Sequence, residues 1–361
     1  MAVNDLNLKR IQAALADGKF QAKALLLTSP VNRFFATGFP SSAGMVLITA
    51  ETCLMATDFR YFEAAQKALP HISLQMVQRG KKYADLINAA LADLGISSLC
   101  YEDGEMTVAE CNALKEQIHA EFLPIGHQLA YLRAVKTEAE LDAMRGAQAA
   151  TDAAFLKILE DISAGMTEKE IEARLIYHLY ACGGEKLSFD PIVVSGPNSS
   201  LPHGHASQRK VQNGDFITMD FGVIYQGYCS DMTRTVAVGS ATDEMRAIYD
   251  IVLEAQMIGL REARAGRKWS EVDSAARNFI ASKGYGEFFG HGLGHSLGLE
   301  VHESLNYSAE TGDLTPENGV VSCEPGIYLP GKFGVRIEDC VILKKDGCEN
   351  LAKSKKNLLI L

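Results

Sequence analysis

The chain has 361 residues, of which 47% are hydrophobic and 22% charged, and its net charge at pH 7 is −10. A length of this order predicts two domains, and the negative charge argues against nucleic acid as the main partner. No apolar run is long enough to predict a membrane span, and the first residues show no secretory signal. The eight cysteines form no CxxC pair, which is typical of reduced thiols, so we expect a cytoplasmic protein.

Helical and strand patterns alternate over residues 1–131. Asn4 or Asp5 is expected to cap a first helix, which ends near Gly18. The apolar patterns further predict helices at Phe59–Leu69, at Tyr83–Leu94 and from Thr107, and strands at Ala24–Leu27, Gly44–Thr49, Cys53–Thr57, Ser73–Val77, Ser98–Tyr101 and Glu121–Ile125. This alternation predicts a three-layer α/β domain, and the absence of a Gly-x-Gly-x-x-Gly motif gives no indication of a dinucleotide site.

A second domain is predicted over 132–361, with a helical pattern that occurs twice. Thr137-x-x-Glu140 is a capping box for a long helix, and Thr167-x-x-Glu170 opens the next one. A second long helix from about Asp243 is again followed by a further helix. Because strands follow each pair of helices, the sequence indicates an α+β domain made of two related halves.

Two aspartates flank a predicted turn between apolar runs. Asp220 follows the run Phe216–Met219, and Asp231 comes shortly before the run Thr235–Val238. Tyr225–Tyr228 supplies the turn, so the two runs are predicted to pair as a β-hairpin. The hairpin would bring both carboxylates to one buried face, where they need a counter-charge from arginine, shared protons or a metal ion.

Imidazole and carboxylate groups also interrupt apolar runs later in the chain. His291 and His295 alternate with glycines at 290, 292, 294 and 298, which permit close approach of the backbone. Glu324 is predicted to lie within a strand, and Glu338 within a second strand. Polar groups in such surroundings are typical of a functional site.

These motifs resemble those of proline-specific metallopeptidases, in the aminopeptidase P/prolidase branch of the creatinase/methionine-aminopeptidase ("pita-bread") superfamily. The resemblance covers nearly the whole chain, including motifs at Thr28–Asn32 and Thr57–Tyr61. It implies a C-terminal pita-bread fold with pseudo-twofold halves, preceded by a three-layer α/β creatinase-like N-terminal domain. The family's metal ligands fall on Asp220, Asp231, His295, Glu324 and Glu338, and its accessory residues fall on His203, His291, His302 and Arg336.

The ligand set that the resemblance implies suits two divalent cations. Four carboxylates and one imidazole form an oxygen-rich site, which fits Mn²⁺, Co²⁺, Fe²⁺ or Zn²⁺, with Mn²⁺ favoured. By the family pattern, Asp231 and Glu338 bridge the ions, Asp220 holds one ion, and His295 and Glu324 hold the other. Glu324 is also the expected carrier of the catalytic proton.

Proline in the substrate accounts for the accessory residues. An Xaa-Pro bond has no N–H and carries a fixed ring, so the enzyme needs a dedicated pocket and donors for the oxyanion. His291 and His302 are suited to these contacts, and His203 is expected either to assist them or to lie on the surface. Arg336 is expected to pair with Glu338 or to bind a substrate carboxylate.

The resemblance predicts an Xaa-Pro aminopeptidase, which releases the N-terminal residue from peptides with proline at the second position. An Xaa-Pro dipeptidase (prolidase) is the main alternative because it shares these motifs. The long N-terminal domain argues against a methionine aminopeptidase, and the full ligand set argues against a metal-free creatinase-type hydrolase. A non-catalytic pita-bread binding protein is the alternative from another class. The family also implies a homodimer.

Overall fold

The computed structural model describes residues 5–303, 306–307 and 314–361. The chain divides into two compact units, Met1–Arg133 and Ala134–Leu361. The predicted cap at Asn4 lies outside the described residues. Within those ranges, no helix is both long and apolar enough to cross a lipid bilayer.

The first unit is organised around one mixed sheet. Helices lie at α1 (Asp5–Ala16), α2 (Pro30–Thr37), α3 (Phe59–Ala68), α4 (Tyr83–Asp93), α5 (Val108–Gln117) and α6 (Gln128–Ala134), and strands lie at β1 (Ala24–Leu27), β2 (Met45–Thr49), β3 (Cys53–Thr57), β4 (Ser73–Met76), β5 (Ser98–Tyr101) and β6 (Glu121–Pro124). The strand order is β4-β3-β2-β1-β5-β6, in which β1, β2 and β3 pair antiparallel and the outer strands pair parallel. The predicted helices and strands of this region are therefore present.

Helix α2 is missing from the sequence prediction. The Ser29 side chain accepts a hydrogen bond from the backbone N–H of Asn32, and Pro30 occupies the first turn. Gly38 ends the helix with a φ of 72°, a left-handed conformation that glycine adopts without strain. The start and stop signals are thus present, but eight residues give too short an apolar repeat to reveal the helix.

The second unit contains two long helix pairs and many short strands. The helices are α7 (Glu138–Asp161), α8 (Glu168–Ala181), α9 (Asp243–Glu262) and α10 (Trp269–Ser282), and the strands are β7 (Lys186–Leu187), β8 (Ile192–Ser195), β9 (Phe216–Phe221), β10 (Val223–Tyr225), β11 (Tyr228–Cys229), β12 (Met232–Ala237), β13 (Gly294–His295), β14 (Asn306–Tyr307), β15 (Val320–Cys323), β16 (Gly326–Leu329), β17 (Phe333–Arg336), β18 (Asp339–Lys344) and β19 (Gly347–Asn350). The strands form sheets in the orders β11-β10-β7, β12-β9-β8, β13-β14, β15-β18-β19 and β16-β17.

Each helix pair packs against a sheet from its own half. Residues of α7 and α8 share a buried cluster with Val193 and Ile217 of the β12-β9-β8 sheet. Residues of α9 and α10 share another with Val321 and Val341 of the β15-β18-β19 sheet. The predicted repeat of helices followed by strands is therefore a repeat of packing units, although Phe216 and Ala237 of the β12-β9-β8 sheet also belong to the α9/α10 cluster.

The predicted β-hairpin is present between the two aspartates. Strands β9 and β12 pair antiparallel, with Asp220 opposite Thr233, and β10 and β11 extend the hairpin to its turn. Gln226 and Gly227 form that turn with φ values of 50° and 84°, as a tight hairpin turn requires. Asp231 lies just before β12, where the chain passes from one strand pair to the next.

The structure corrects the predicted positions of two glutamates. Glu324 lies directly after β15, and Glu338 lies between β17 and β18, so neither is within a strand. Strand β17 pairs with β16, whereas β18 pairs with β15, so the chain changes sheets at Glu338. There the backbone N–H of Glu338 donates to the carbonyl oxygen of Thr233, at 3.1 Å, in the other half.

Candidate active site

Three of the predicted ligands converge in the second unit. A carboxylate oxygen of Asp231, a ring nitrogen of His295 and a carboxylate oxygen of Glu338 all lie within 4.8 Å of one another. The Nε2 atom of His295 is 3.4 Å from Asp231 Oδ2 and 3.4 Å from Glu324 Oε1. Asp220 lines the same cavity as these four residues. All five residues that the sequence singled out as ligands are therefore brought together.

Several carboxylate oxygens of this cluster have no partner among the described residues. Oδ1 of Asp220, Oδ1 of Asp231 and Oε1 of Glu338 are buried without a hydrogen bond there. Leaving such atoms unpaired is costly, and a carboxylate cannot donate a proton of its own when ionised. Cations accept electron pairs from these oxygens, so the donor set of four carboxylates and one imidazole fits divalent metal ions.

The electrostatics of the cluster also favour cations. Burial raises the pKa of the Asp231 carboxyl well above its ordinary value, and the nearby Asp220 and Glu324 raise it further. Burial likewise raises the pKa of Glu338, with Asp231 and Glu324 as the next causes. Such carboxyl groups resist ionisation together unless a positive charge lies between them.

Hydroxyl groups next to the cluster donate hydrogen bonds that orient two of its carboxylates. Thr233 Oγ1 donates to Glu338 Oε2 at 2.6 Å. Ser322 Oγ donates to Glu324 Oε1 at 3.1 Å and accepts from the backbone N–H of His295 at 2.9 Å. A Cβ atom on Gly294 would lie 2.1 Å from the carbonyl oxygen of Ser322, so only glycine permits this approach. The predicted need for glycine thus holds at 294, whereas a Cβ at 290 would meet no atom within 4 Å.

Arg336 is buried, and each of its three guanidinium nitrogens donates a hydrogen bond. Its Nη2 donates to Asp220 Oδ2 at 2.6 Å, and its Nε donates to Thr233 Oγ1 at 3.0 Å. Its Nη1 donates to the carbonyl oxygen of Pro202 at 3.1 Å and to the hydroxyl of Tyr328 at 3.0 Å. Arg336 therefore forms its ion pair with Asp220. One of its two predicted roles was an ion pair with Glu338, and that prediction is wrong.

Tyr328 is a site residue that the sequence analysis did not identify. Its hydroxyl lies 2.9 Å from His291 Nε2, and His291 Nδ1 lies 2.8 Å from the carbonyl oxygen of Gly292. A carbonyl oxygen only accepts, so Nδ1 carries the proton and Nε2 accepts from Tyr328. Burial lowers the pKa of His291, which favours this neutral ring. Both ring nitrogens of His291 are thus occupied by protein atoms.

The cluster opens into a cavity of about 430 Å³. His203 and His302 are exposed residues on its wall, and the rings of His295 and His302 lie 4.1 Å apart between centroids. Phe189, Ile192 and Val301 add apolar surface to the wall, and none of them was predicted. No motif marks these three residues, because apolar side chains beside strands are more often part of a core.

Both units match known protein families. Residues 142–345 match metallopeptidase family M24, and residues 7–135 match the creatinase/prolidase N-terminal domain. The solved structure of an Xaa-Pro dipeptidase from Bacillus anthracis has a TM-score of 0.93 at 39% identity and covers 99% of both chains. That of an X-Pro aminopeptidase from Thermotoga maritima MSB8 has a TM-score of 0.91 at 38% identity, covering 96% of this chain and 99% of that one.

A curated relative agrees with these structures. The Xaa-Pro dipeptidase of Pyrococcus horikoshii is 37% identical over 340 residues, which are 93% of this chain and 94% of the relative. Because the similarity extends over nearly the whole length, the predicted fold is confirmed: a creatinase-like N-terminal domain precedes a pita-bread domain.

Proposed function

The chain belongs to metallopeptidase family M24, and from this membership we propose that it is a two-metal Xaa-Pro dipeptidase. That it is a metal-dependent peptidase follows from the family. The sequence analysis favoured release of the N-terminal residue from longer peptides. The names of two of the three relatives described above support the dipeptide alternative instead. Family resemblance further supports Mn²⁺ as the ion and a homodimer, and the eight cysteines without a CxxC pair support a cytoplasmic location.

The observation that carries the proposal is the set of unpaired, buried carboxylate oxygens beside His295. Asp220, Asp231, His295, Glu324 and Glu338 would together hold the two ions. When bound, the ions would polarise the scissile carbonyl and lower the pKa of a water molecule. Every other catalytic task falls on side chains of this chain.

Glu324 is our candidate for proton transfer. Its carboxylate lies on the cavity wall, and Ser322 Oγ holds Oε1 in place at 3.1 Å. The group accepts a proton from the attacking water and passes it to the proline nitrogen, which must be protonated to leave as an amine. Glu324 can serve both steps because the cavity gives the water and the leaving nitrogen access to the same carboxylate.

Recognition of proline is assigned to the rest of the wall. A proline ring offers apolar surface and no N–H, which suits Phe189, Ile192 and Val301. Because both nitrogens of His291 are engaged, contacts to the oxyanion or to the free carboxylate of a dipeptide fall to His203 and His302. A non-catalytic binding protein would have no need for the full set of ligands.

A substrate-length series tests the proposal. Ala-Pro, Ala-Pro-Ala and the control Ala-Ala are incubated with protein loaded with Mn²⁺, Co²⁺ or Zn²⁺. We expect kcat/KM for Ala-Pro to exceed that for the tripeptide by about tenfold or more, and Ala-Ala to be a poor substrate. The reverse order would support the aminopeptidase, and metal-loaded protein that cleaves neither proline peptide would support the binding protein. Light scattering of the same sample tests the homodimer.

A further inference from the structure

Glu168 is one of several buried carboxylates of the second unit that lie outside the metal cluster. Glu168 begins α8, and its side chain is fully buried. Its Oε1 accepts from the backbone N–H of Ser195 at 2.7 Å and from Ser195 Oγ at 2.8 Å. Its Oε2 accepts from the backbone N–H of Ser207 at 2.9 Å and from Ser207 Oγ at 2.6 Å. Asn198 Nδ2 lies 3.1 and 3.2 Å from the two oxygens.

Ser195 and Ser207 flank one segment, residues 196–206, which we call the His203 loop, and Asn198 lies within that loop. One carboxylate therefore closes the loop by holding the residue before it and the residue after it. Fixing both ends of a segment removes much of its conformational freedom. Arg209 also holds the residue before the loop, because its Nη1 donates to Ser195 Oγ at 2.7 Å and to Asp215 Oδ2 at 2.6 Å.

The His203 loop reaches the active site through two further contacts. Ser199 Oγ accepts from the backbone N–H of Gly334 in β17 at 2.9 Å. The carbonyl oxygen of Pro202, the residue before His203, accepts from Arg336 Nη1 at 3.1 Å. The position of His203 on the cavity wall therefore depends on a loop that is held at its base by Glu168 and near its tip by Arg336.

Glu168 is not needed to begin its helix. Thr167 and Glu170 form the capping box of α8, in which Glu170 Oε2 accepts from the backbone N–H of Thr167 at 2.7 Å. Glu170 is exposed, whereas Glu168 points into the protein, toward the loop. The helix cap does not need Glu168, and the hydrogen bonds of its buried carboxylate go to the His203 loop and the two residues that flank it. These contacts indicate that Glu168 acts on that loop.

We propose that Glu168 is a positioning residue that holds His203 where it contacts the substrate. This inference rests on the proposed function, because it takes an Xaa-Pro peptide to be what His203 binds. Glu168 does not touch the reacting atoms; it acts through the loop. Its loss should therefore weaken substrate binding more than the chemical step, and should leave the metal ions in place.

The test compares Glu168→Gln with Glu170→Gln. Both substitutions remove one negative charge from the first turn of α8. Only Glu168→Gln places an amide N–H₂ group against the donors of Ser195 or Ser207. With Ala-Pro and Mn²⁺, Glu168→Gln should raise KM by about tenfold, the equivalent of about one hydrogen bond, and change kcat by less than about threefold. Glu170→Gln should leave both constants near those of the wild type, and Mn²⁺ affinity should be the same in all three proteins.

Two measurements separate positioning from a merely structural role. In a His203→Ala background, Glu168→Gln should raise KM by less than about twofold, because the two changes act on one contact. Amide hydrogen exchange over residues 195–207 should be at least about tenfold faster in Glu168→Gln than in Glu170→Gln. Faster exchange with an unchanged KM, or additive effects with His203→Ala, would overturn the proposal.

Failure of the proposed function has a different signature. Wild-type protein that does not cleave Ala-Pro would refute the dipeptidase assignment, whereas hydrogen exchange would still report whether Glu168 closes the loop. Unchanged exchange in Glu168→Gln would overturn the inference irrespective of activity. A variant that fails to fold is replaced by Asn198→Ala, which removes one donor to the carboxylate and should accelerate exchange over the same residues.

Discussion

Replacing Asp231 with asparagine should stabilise the metal-free protein while it abolishes metal loading. Asp231 and Glu338 have ligand oxygens within 4.8 Å, a separation at which two full charges repel by about 3 kcal/mol at an effective dielectric constant of about 20. Arg336 offsets part of this repulsion, so we expect a gain of about 2 kcal/mol in the free energy of unfolding. For a unit of this size, that gain raises Tm by about 4–8 °C.

The pH dependence provides a second readout. The folded-state pKa of Asp231 is raised, so between the unfolded carboxyl pKa of about 4 and the raised value the folded protein binds more protons than the unfolded chain. The stability of the chelated wild type should therefore fall as pH rises through this window. Asp231→Asn should show a weaker fall. With excess Mn²⁺ the order reverses, because ligand at about 1,000 times Kd adds about 4 kcal/mol to the wild type alone.

The assay is thermal unfolding in EDTA and in Mn²⁺, followed by fluorescence of the single tryptophan, Trp269, which is buried in the second unit. Asp152→Asn is the matched control, because Asp152 is a buried aspartate that accepts from the backbone N–H groups of Lys353 and Ser354 at 2.8 and 2.9 Å. It should lower Tm in both buffers. The reasoning is refuted if, in EDTA, Asp231→Asn has a lower Tm than the wild type and its stability depends on pH with the same slope.

Three further predictions concern groups around the ligands. Tyr328→Phe should lower kcat/KM by about tenfold with full metal content, since it removes a hydroxyl shared by two site residues; loss of metal in this variant would contradict the assignment. Thr233→Val should lower Mn²⁺ affinity by about 10–100-fold in a calorimetric titration, because Glu338 loses its donor, and an unchanged affinity would rule this out. Gly294→Ala should destabilise the protein by about 3 kcal/mol, whereas Gly290→Ala, with open space around it, should melt like the wild type.

The active-site hairpin is predictable because its signals are local. Apolar runs, a turn with Gly227 and the two aspartates lie within one short segment, and the register follows from the turn. The capping boxes of α7 and α8 are predictable for the same reason. In each case the residues that determine the structure are neighbours in sequence.

Features that depend on distant partners escaped prediction. No glycine or proline separates Val335 from Lys344 in the sequence, and the strand breaks at Glu338 because β17 and β18 pair with different strands. Tyr328 resembles an ordinary core aromatic, and only the hydroxyl contacts to Arg336 and His291 reveal its role. Glu168 likewise has the sequence signature of a helix start, and its bonds to residues 27–39 positions later are tertiary.

The ligands are divided between the two halves of the second unit. Asp220 and Asp231 belong to the earlier half, whereas His295, Glu324 and Glu338 belong to the later one. During synthesis on the ribosome, the nascent earlier half therefore offers a cation only a fraction of its final coordination. Fragments cut within the 238–242 connection and expressed separately would each bind ions weakly, and cation binding would report their reassociation.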